Sequence, residues 1–111
     1  MADQRPRRGE VWWVAFDPSI GGEIRKTRPA VVVSNDDANA ALNRLQVIPL
    51  TSRVERLYPA EAYVTLGGER RKAMADQIST VSRLRLRGWI GRLSASDVAV
   101  VERAIRVQLG L

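Results

Sequence analysis

Glu23, Arg28, the hydroxyl pair Thr51-Ser52 and the pair Asp76-Gln77 are the side chains here whose types and positions could do chemistry, since the sequence contains no histidine and no cysteine. A carboxylate can take a proton, an arginine can hold an anion in a planar fork of donors, and a hydroxyl can donate to a phosphate oxygen. Arg28 stands where a basic loop, Arg25-Lys26-Thr27, turns into Ala30-Val31-Val32-Val33, a run of the kind that makes a strand buried on both faces. Pro29 fixes its own φ and pushes Arg28 towards an extended backbone, so the cation enters the strand with little freedom left. The alternative is a basic hairpin carrying a solvated charge cluster. Thr51-Ser52 follows another strand-like run directly, where it can donate to a phosphate or close a turn on its own backbone. Asp76-Gln77 interrupts an apolar pattern, and a carboxylate and an amide at such a point are more often satisfied by loop backbone than catalytic.

Length and composition narrow the classes. At 111 residues the chain is expected to be one domain with a flexible start over residues 1–8. Without cysteine or histidine, disulfide frameworks, thiol catalysis and zinc sites drop out, and so does the commonest general base. No metal and no cofactor are expected. Nothing reads as a signal peptide or membrane span, which makes the cytoplasm the default location. The net charge of +6 comes almost entirely from arginine, with Lys26 and Lys72 the only lysines. That bias suits a nucleic acid or an acidic protein, or simply a soluble surface. The cations gather at Arg25, Lys26 and Arg28; Arg53 and Arg56; Arg70, Arg71 and Lys72; and Arg83, Arg85 and Arg87. Placed in four connecting segments, they could converge on one patch if the strands curl into a barrel.

The elements that must position these residues follow from period and punctuation. Gly9 to Phe16 alternates as a first strand, with Trp12 and Trp13 on opposite faces, one for the core and one for a dimer interface or partner surface. Asp17-Pro18 and Gly21-Gly22 mark a long loop that carries Glu23 towards Arg28. A short helix is predicted over Asp36 to Asn43, capped by Asn35 or Asp36. A third strand spans Leu45 to Leu50, where Pro49 implies an edge or a ladder end. Ala62 to Leu66, a Gly67-Gly68-Glu69 turn, one or two strands within Lys72 to Ser82, and Trp89 to Leu93 continue the pattern; Arg83 to Arg87 fits a helical turn or a strand. Ser94 to Leu109 is a helix with a buried stripe of Val98, Val101, Ile105 and Leu109 and with Glu102, Arg103 and Arg106 facing water; Gly110 ends it. The pattern is mainly β with one C-terminal helix, a small antiparallel barrel.

Five stretches in this order and spacing resemble the MazF/PemK family of toxins from bacterial toxin–antitoxin pairs: RGEVWWVAFDP at Arg8 to Pro18, Glu23 followed by KTRPAVVVSN at Lys26 to Asn35, VIPLTS at Val47 to Ser52, ADQIST at Ala75 to Thr80, and GRL at Gly91 to Leu93. The resemblance implies an SH3-like barrel acting as a homodimer. It also implies a metal-independent endoribonuclease that cuts single-stranded RNA at a short sequence. The family's catalytic arginine falls on Arg28, its catalytic threonine on Thr51, and the loop glutamate on Glu23. Asp76 and Gln77 match its Asp-Gln motif and, with Arg25, Lys26, Ser52, Arg53 and Arg56, are expected to contact RNA. In the PemK branch an Arg, Asp and His scheme is described; here the His position falls on Gly22 and the Arg position on Met74, which leaves only Asp76.

Metal-free RNA cleavage needs the 2′-hydroxyl deprotonated, the pentavalent phosphate stabilised and the leaving 5′-oxygen protonated. With no histidine present, Glu23 is the nearby candidate base, Arg28 the clamp on the phosphorane and Thr51 a holder of a phosphate oxygen. The expected partner is a cognate antitoxin with an acidic tail that folds over the basic groove. Two alternatives remain: a toxin of the same fold that inhibits DNA gyrase by binding, and a barrel that binds RNA without cutting.

Overall fold

The computed structural model describes residues 5–16 and 26–111. Among these residues the chain forms seven antiparallel strands: β1 (Glu10–Phe16), β2 (Lys26–Val32), β3 (Arg44–Thr51), β4 (Glu61–Leu66), β5 (Glu69–Met74), β6 (Ser79–Ser82) and β7 (Leu86–Arg92), most of them rich in β-branched or aromatic residues. Helices α1 (Asp36–Ala41) and α2 (Ala95–Leu109) and two 3₁₀ turns, Ala75–Gln77 and Arg83–Arg85, complete them. The sheet runs β4-β5-β3-β2-β1-β7, with β6 also on β3, so the barrel is strongly curled, and among the described residues no ladder closes it. The segment Arg83 to Arg87, ambiguous in the sequence, is both things: a turn and then the start of β7.

β3 organises the curl. Its first half, Arg44 to Val47, pairs with β6, and its end, Leu50-Thr51, pairs with β5. Pro49 falls between those two ladders, where a missing N–H breaks neither, and this is the ladder end its type implies. The core divides between two faces. Trp12, Val14, Ala30, Val32, Leu45, Val47 and Val81 fill the curl of β1, β2, β3 and β6. Val11, Val31, Ile48 and Leu50 face the other way, under the β4–β5 hairpin and under Val101 and Ala104 of α2. Strands β1 and β2 are therefore buried on both sides, which is why Ala30 to Val32 carries no polar residue.

The cap residues act as their types require. Ser94 Oγ accepts from Asp97 N at 3.1 Å, and Gly110 closes α2 in the left-handed region at φ 70°. Asp97 also accepts from Thr65 N at 2.8 Å, which ties the helix start to β4. The apolar stripe needs correction at its end. Val101 and Ala104 are buried and Val98 and Ile105 pack against the same cluster, but Leu109 is exposed, because the core cluster reaches along α2 only as far as Ile105. Of residues 1–8, expected to be flexible, 1–4 lie outside the described residues; within the rest Pro6 is fully buried, and Arg8 donates its N to Asp36 at 2.7 Å and its Nε to Val33 O at 3.0 Å. Arg8 also pairs with Glu102 at 2.6 Å, which draws Glu102 partly out of water.

Asn35 is the cap of α1, accepting from Ala38 N at 2.8 Å. Asn39, 2 % exposed beneath the helix, donates to Ser34 O at 2.9 Å and accepts from Ser34 Oγ, which itself accepts from Gln46 N at 3.0 Å. Asn39→Ala strands the Ser34 groups in the core and is expected to lower stability by about 1–3 kcal/mol, seen as an earlier urea midpoint with unchanged slope.

Candidate active site at the parting of two strands

β2 is registered on β1 with Arg28 opposite Val14 and Ala30 opposite Trp12, so Arg28 shares the face of the barrel interior. It is half-buried at the interior's mouth. On its other side β2 pairs with β3 only from Val32 to Ala30, opposite Val47 to Pro49. The ladder stops where the chain places prolines, Pro29 on one strand and Pro49 on the other, neither of which has an N–H to extend it. Continuing the same register by two residues sets Arg28 opposite Thr51. The cation and the hydroxyl thus lie on a common face, two residues beyond the last pair of the ladder, each in a strand that is anchored in the core.

Thr51 is half-buried, and its Oγ accepts from Arg53 N at 3.2 Å. This is the turn-closing bond that the sequence left as the alternative to a phosphate contact, and it does not exclude the other. The oxygen takes the loop's N–H while the hydroxyl proton stays available to an anion. Ser52, Arg53 and Arg56 are exposed on the loop that leaves Thr51. Lys26, at φ 73°, begins β2 in the left-handed region next to the mouth. Arg85 reaches the same end of the barrel, donating to Ala15 O at 3.1 Å.

Other residues go elsewhere. Asp76 and Gln77 lie on the 3₁₀ turn between β5 and β6, and Asp76 lines a groove with Tyr58, Glu61, Val107 and Gln108 beside α2 rather than the interior face that carries Arg28. Arg70, Arg71 and Lys72 are not in a connection at all but within β5. Arg71 lines a groove of about 530 Å³ on the α2-side face with Trp13, Pro29 and Arg92, Arg70 lies 4.6 Å over the Tyr63 ring, and Lys72 is buried. Of the two tryptophans, Trp12 is in the core with its indole N–H donated to Glu10 at 3.2 Å, and Trp13 is 44 % exposed. Glu23 and Arg25 lie outside the described residues. Among the described residues no three acidic side chains cluster as a metal site would require.

Comparison with known proteins supplies the family. Residues 7–109 match the PemK-like, MazF-like toxin of type II toxin–antitoxin systems. Endoribonuclease MazF9 of Mycobacterium tuberculosis is 42 % identical over 114 residues, covering 95 % of this chain and 97 % of that one. The crystal structure of MazF from Deinococcus radiodurans superposes with a TM-score of 0.86 at 29 % identity, over 98 % of this chain and 100 % of that one. A MazE–MazF structure from the same organism superposes with a TM-score of 0.76 at 30 % identity, over 96 % of this chain and 98 % of that one. Arg28 opposite Thr51 on a curled barrel thus sits within a match that spans nearly the whole sequence, and the chain belongs to the PemK-like, MazF-like family of toxins of type II toxin–antitoxin systems.

Proposed function

We propose that the mouth between β2 and β3 is the active site of a metal-independent endoribonuclease that cuts single-stranded RNA at a short sequence. The protein is an endoribonuclease toxin; the proposal concerns which residues do the work. The observation that carries it is the register that brings Arg28 and Thr51 to one face where their strands part. Glu23 takes the proton from the 2′-hydroxyl, whose oxygen attacks the adjacent phosphorus. The phosphorane's added negative charge meets the Arg28 fork and the Thr51 hydroxyl, and the 5′-oxygen leaves with a proton from solvent. The products are a 2′,3′-cyclic phosphate and a 5′-hydroxyl. General-base help of this sort contributes roughly 10²–10⁴-fold. Arg53, Arg56, Ser52, Lys26 and Arg25 hold flanking phosphates; Asp76, turned towards α2, takes no part in the proton transfers.

A cognate antitoxin of the MazE kind neutralises the toxin, and the protein works as a homodimer in the cytoplasm. The groove that Trp13 shares with Arg71 and Arg92 has an apolar floor, and the two arginines, paired in the free protein with Glu69 and Glu10, can exchange those partners for the carboxylates of an acidic tail. Thr51→Val keeps the side-chain shape and removes the donor. It is expected to slow cleavage of a single-site oligonucleotide by about 10²-fold, with Thr51→Ser restoring most of the rate. A valine variant as fast as the parent would remove Thr51 from the chemistry, and strong salt-sensitive binding with no product from any form would favour the non-cutting barrel.

A further inference from the structure

Lys72 is the feature that the nuclease chemistry does not use. It is 7 % exposed, although a buried ammonium is costly unless every donor is satisfied. Its Nζ is 2.9 Å from Glu61 Oε1, donates to Arg56 O at 2.7 Å, and lies 5.4 Å from the centre of the Tyr58 ring. Glu61 Oε1 also accepts from Tyr58 N at 2.8 Å. Tyr63, the cross-strand partner of Lys72, donates its hydroxyl to Val54 O at 2.7 Å. On its other side Lys72 pairs with Thr51 itself. Tyr63, Lys72 and Thr51 therefore form one row across β4, β5 and β3, and the loop that leaves Thr51 is hydrogen-bonded to that row at Val54 and Arg56 and to the neighbouring Glu61 at Tyr58.

A buried ion pair kept only for stability can be replaced by apolar side chains of similar volume at little cost. This one gives a second of its three donors to the carbonyl of Arg56, inside the loop that leaves Thr51 and carries Arg53 and Arg56. Resting on the nuclease reading above, we propose that Lys72, with Glu61 and Tyr63, positions the 52–60 loop so that the nucleotides flanking the cut are held in fixed register with the scissile phosphate. These are positioning residues: they act through the loop and touch neither the phosphate nor the 2′-hydroxyl. Their contribution is to substrate affinity and to the choice of cutting site, because a loop left free must be ordered by the RNA at the RNA's expense.

The test uses two variants of the full chain, each checked for a cooperative melt. Tyr63→Phe removes one hydrogen bond, and the double variant Glu61→Leu/Lys72→Met removes both charges together so that neither is left buried alone. KM and kcat are measured on an oligonucleotide containing the preferred site, the cut sites on a long RNA are mapped, and amide exchange is followed over residues 53–58. Folded variants should show KM raised roughly tenfold with kcat within about threefold, a broadened set of cut sites and faster exchange in the loop. Unchanged KM and cut sites in both folded variants would overturn the proposal, as would a fall in kcat at constant KM. Parent protein that cuts no RNA would instead defeat the nuclease reading, a different failure visible in the control lane.

Discussion

Arg28→Ala is expected to lower the rate of RNA cleavage by about 10²–10³-fold, the loss typical of removing one preorganised donor from a developing oxyanion. The barrel should survive the change. Arg28 is half-buried at the end of β2, whereas the strand is held by Ala30, Val31 and Val32, each at most 1 % exposed. Arg28→Lys tests the fork itself. It keeps the charge and loses planar, two-point contact, so it should recover RNA binding while recovering little of the rate. Single-turnover rates, with binding followed separately, distinguish these effects. A fully active alanine variant would show that the strand register had drawn attention to the wrong cation.

The largest effect on stability is expected from Lys72→Ala, at about 3–5 kcal/mol, the usual cost of removing one partner from a buried pair. Glu61 would be left with its side chain 10 % exposed and no counter-charge, and Arg56 O would lose its donor. The double replacement Glu61→Leu/Lys72→Met should come much nearer the parent, because it desolvates no lone charge. Urea unfolding of the single and double variants decides the matter. Equal destabilisation in both would mean that the loop contacts, and not the ion pair, carry the energy.

Much of this was legible before any coordinates. Pro49 reads as an edge or ladder end because its missing N–H admits few other positions, while Pro29 reads only as a restraint on Arg28; that the two together end the β2–β3 ladder needed the register. The tryptophan pair divided as alternation requires. Lys72 was grouped with Arg70 and Arg71 as surface charge, since composition alone does not say which of three adjacent cations is buried. The signal was nevertheless present. A two-residue Gly67-Gly68 turn, both residues at positive φ, sets Leu66 opposite Glu69 and so Tyr63 opposite Lys72, with Glu61 one pleat further on. Asp76 was less accessible to pattern, because a 3₁₀ turn has neither period and its side chains can point to either face of the sheet. The exposure of Leu109 likewise depends on what lies under α2, which helical period cannot report.

One measurement bears most directly on the central claim. The purified protein is incubated with a long unstructured RNA in excess EDTA, and both ends at every break are identified chemically. Discrete cuts at a recurring short sequence, leaving 5′-hydroxyl and 2′,3′-cyclic phosphate ends, are the expected result, since in the proposed reaction Glu23 takes the proton, Arg28 and Thr51 hold the phosphorane and solvent protonates the leaving oxygen, with no step that needs a metal. Cleavage that vanishes in EDTA, or that leaves 5′-phosphate ends, would contradict it.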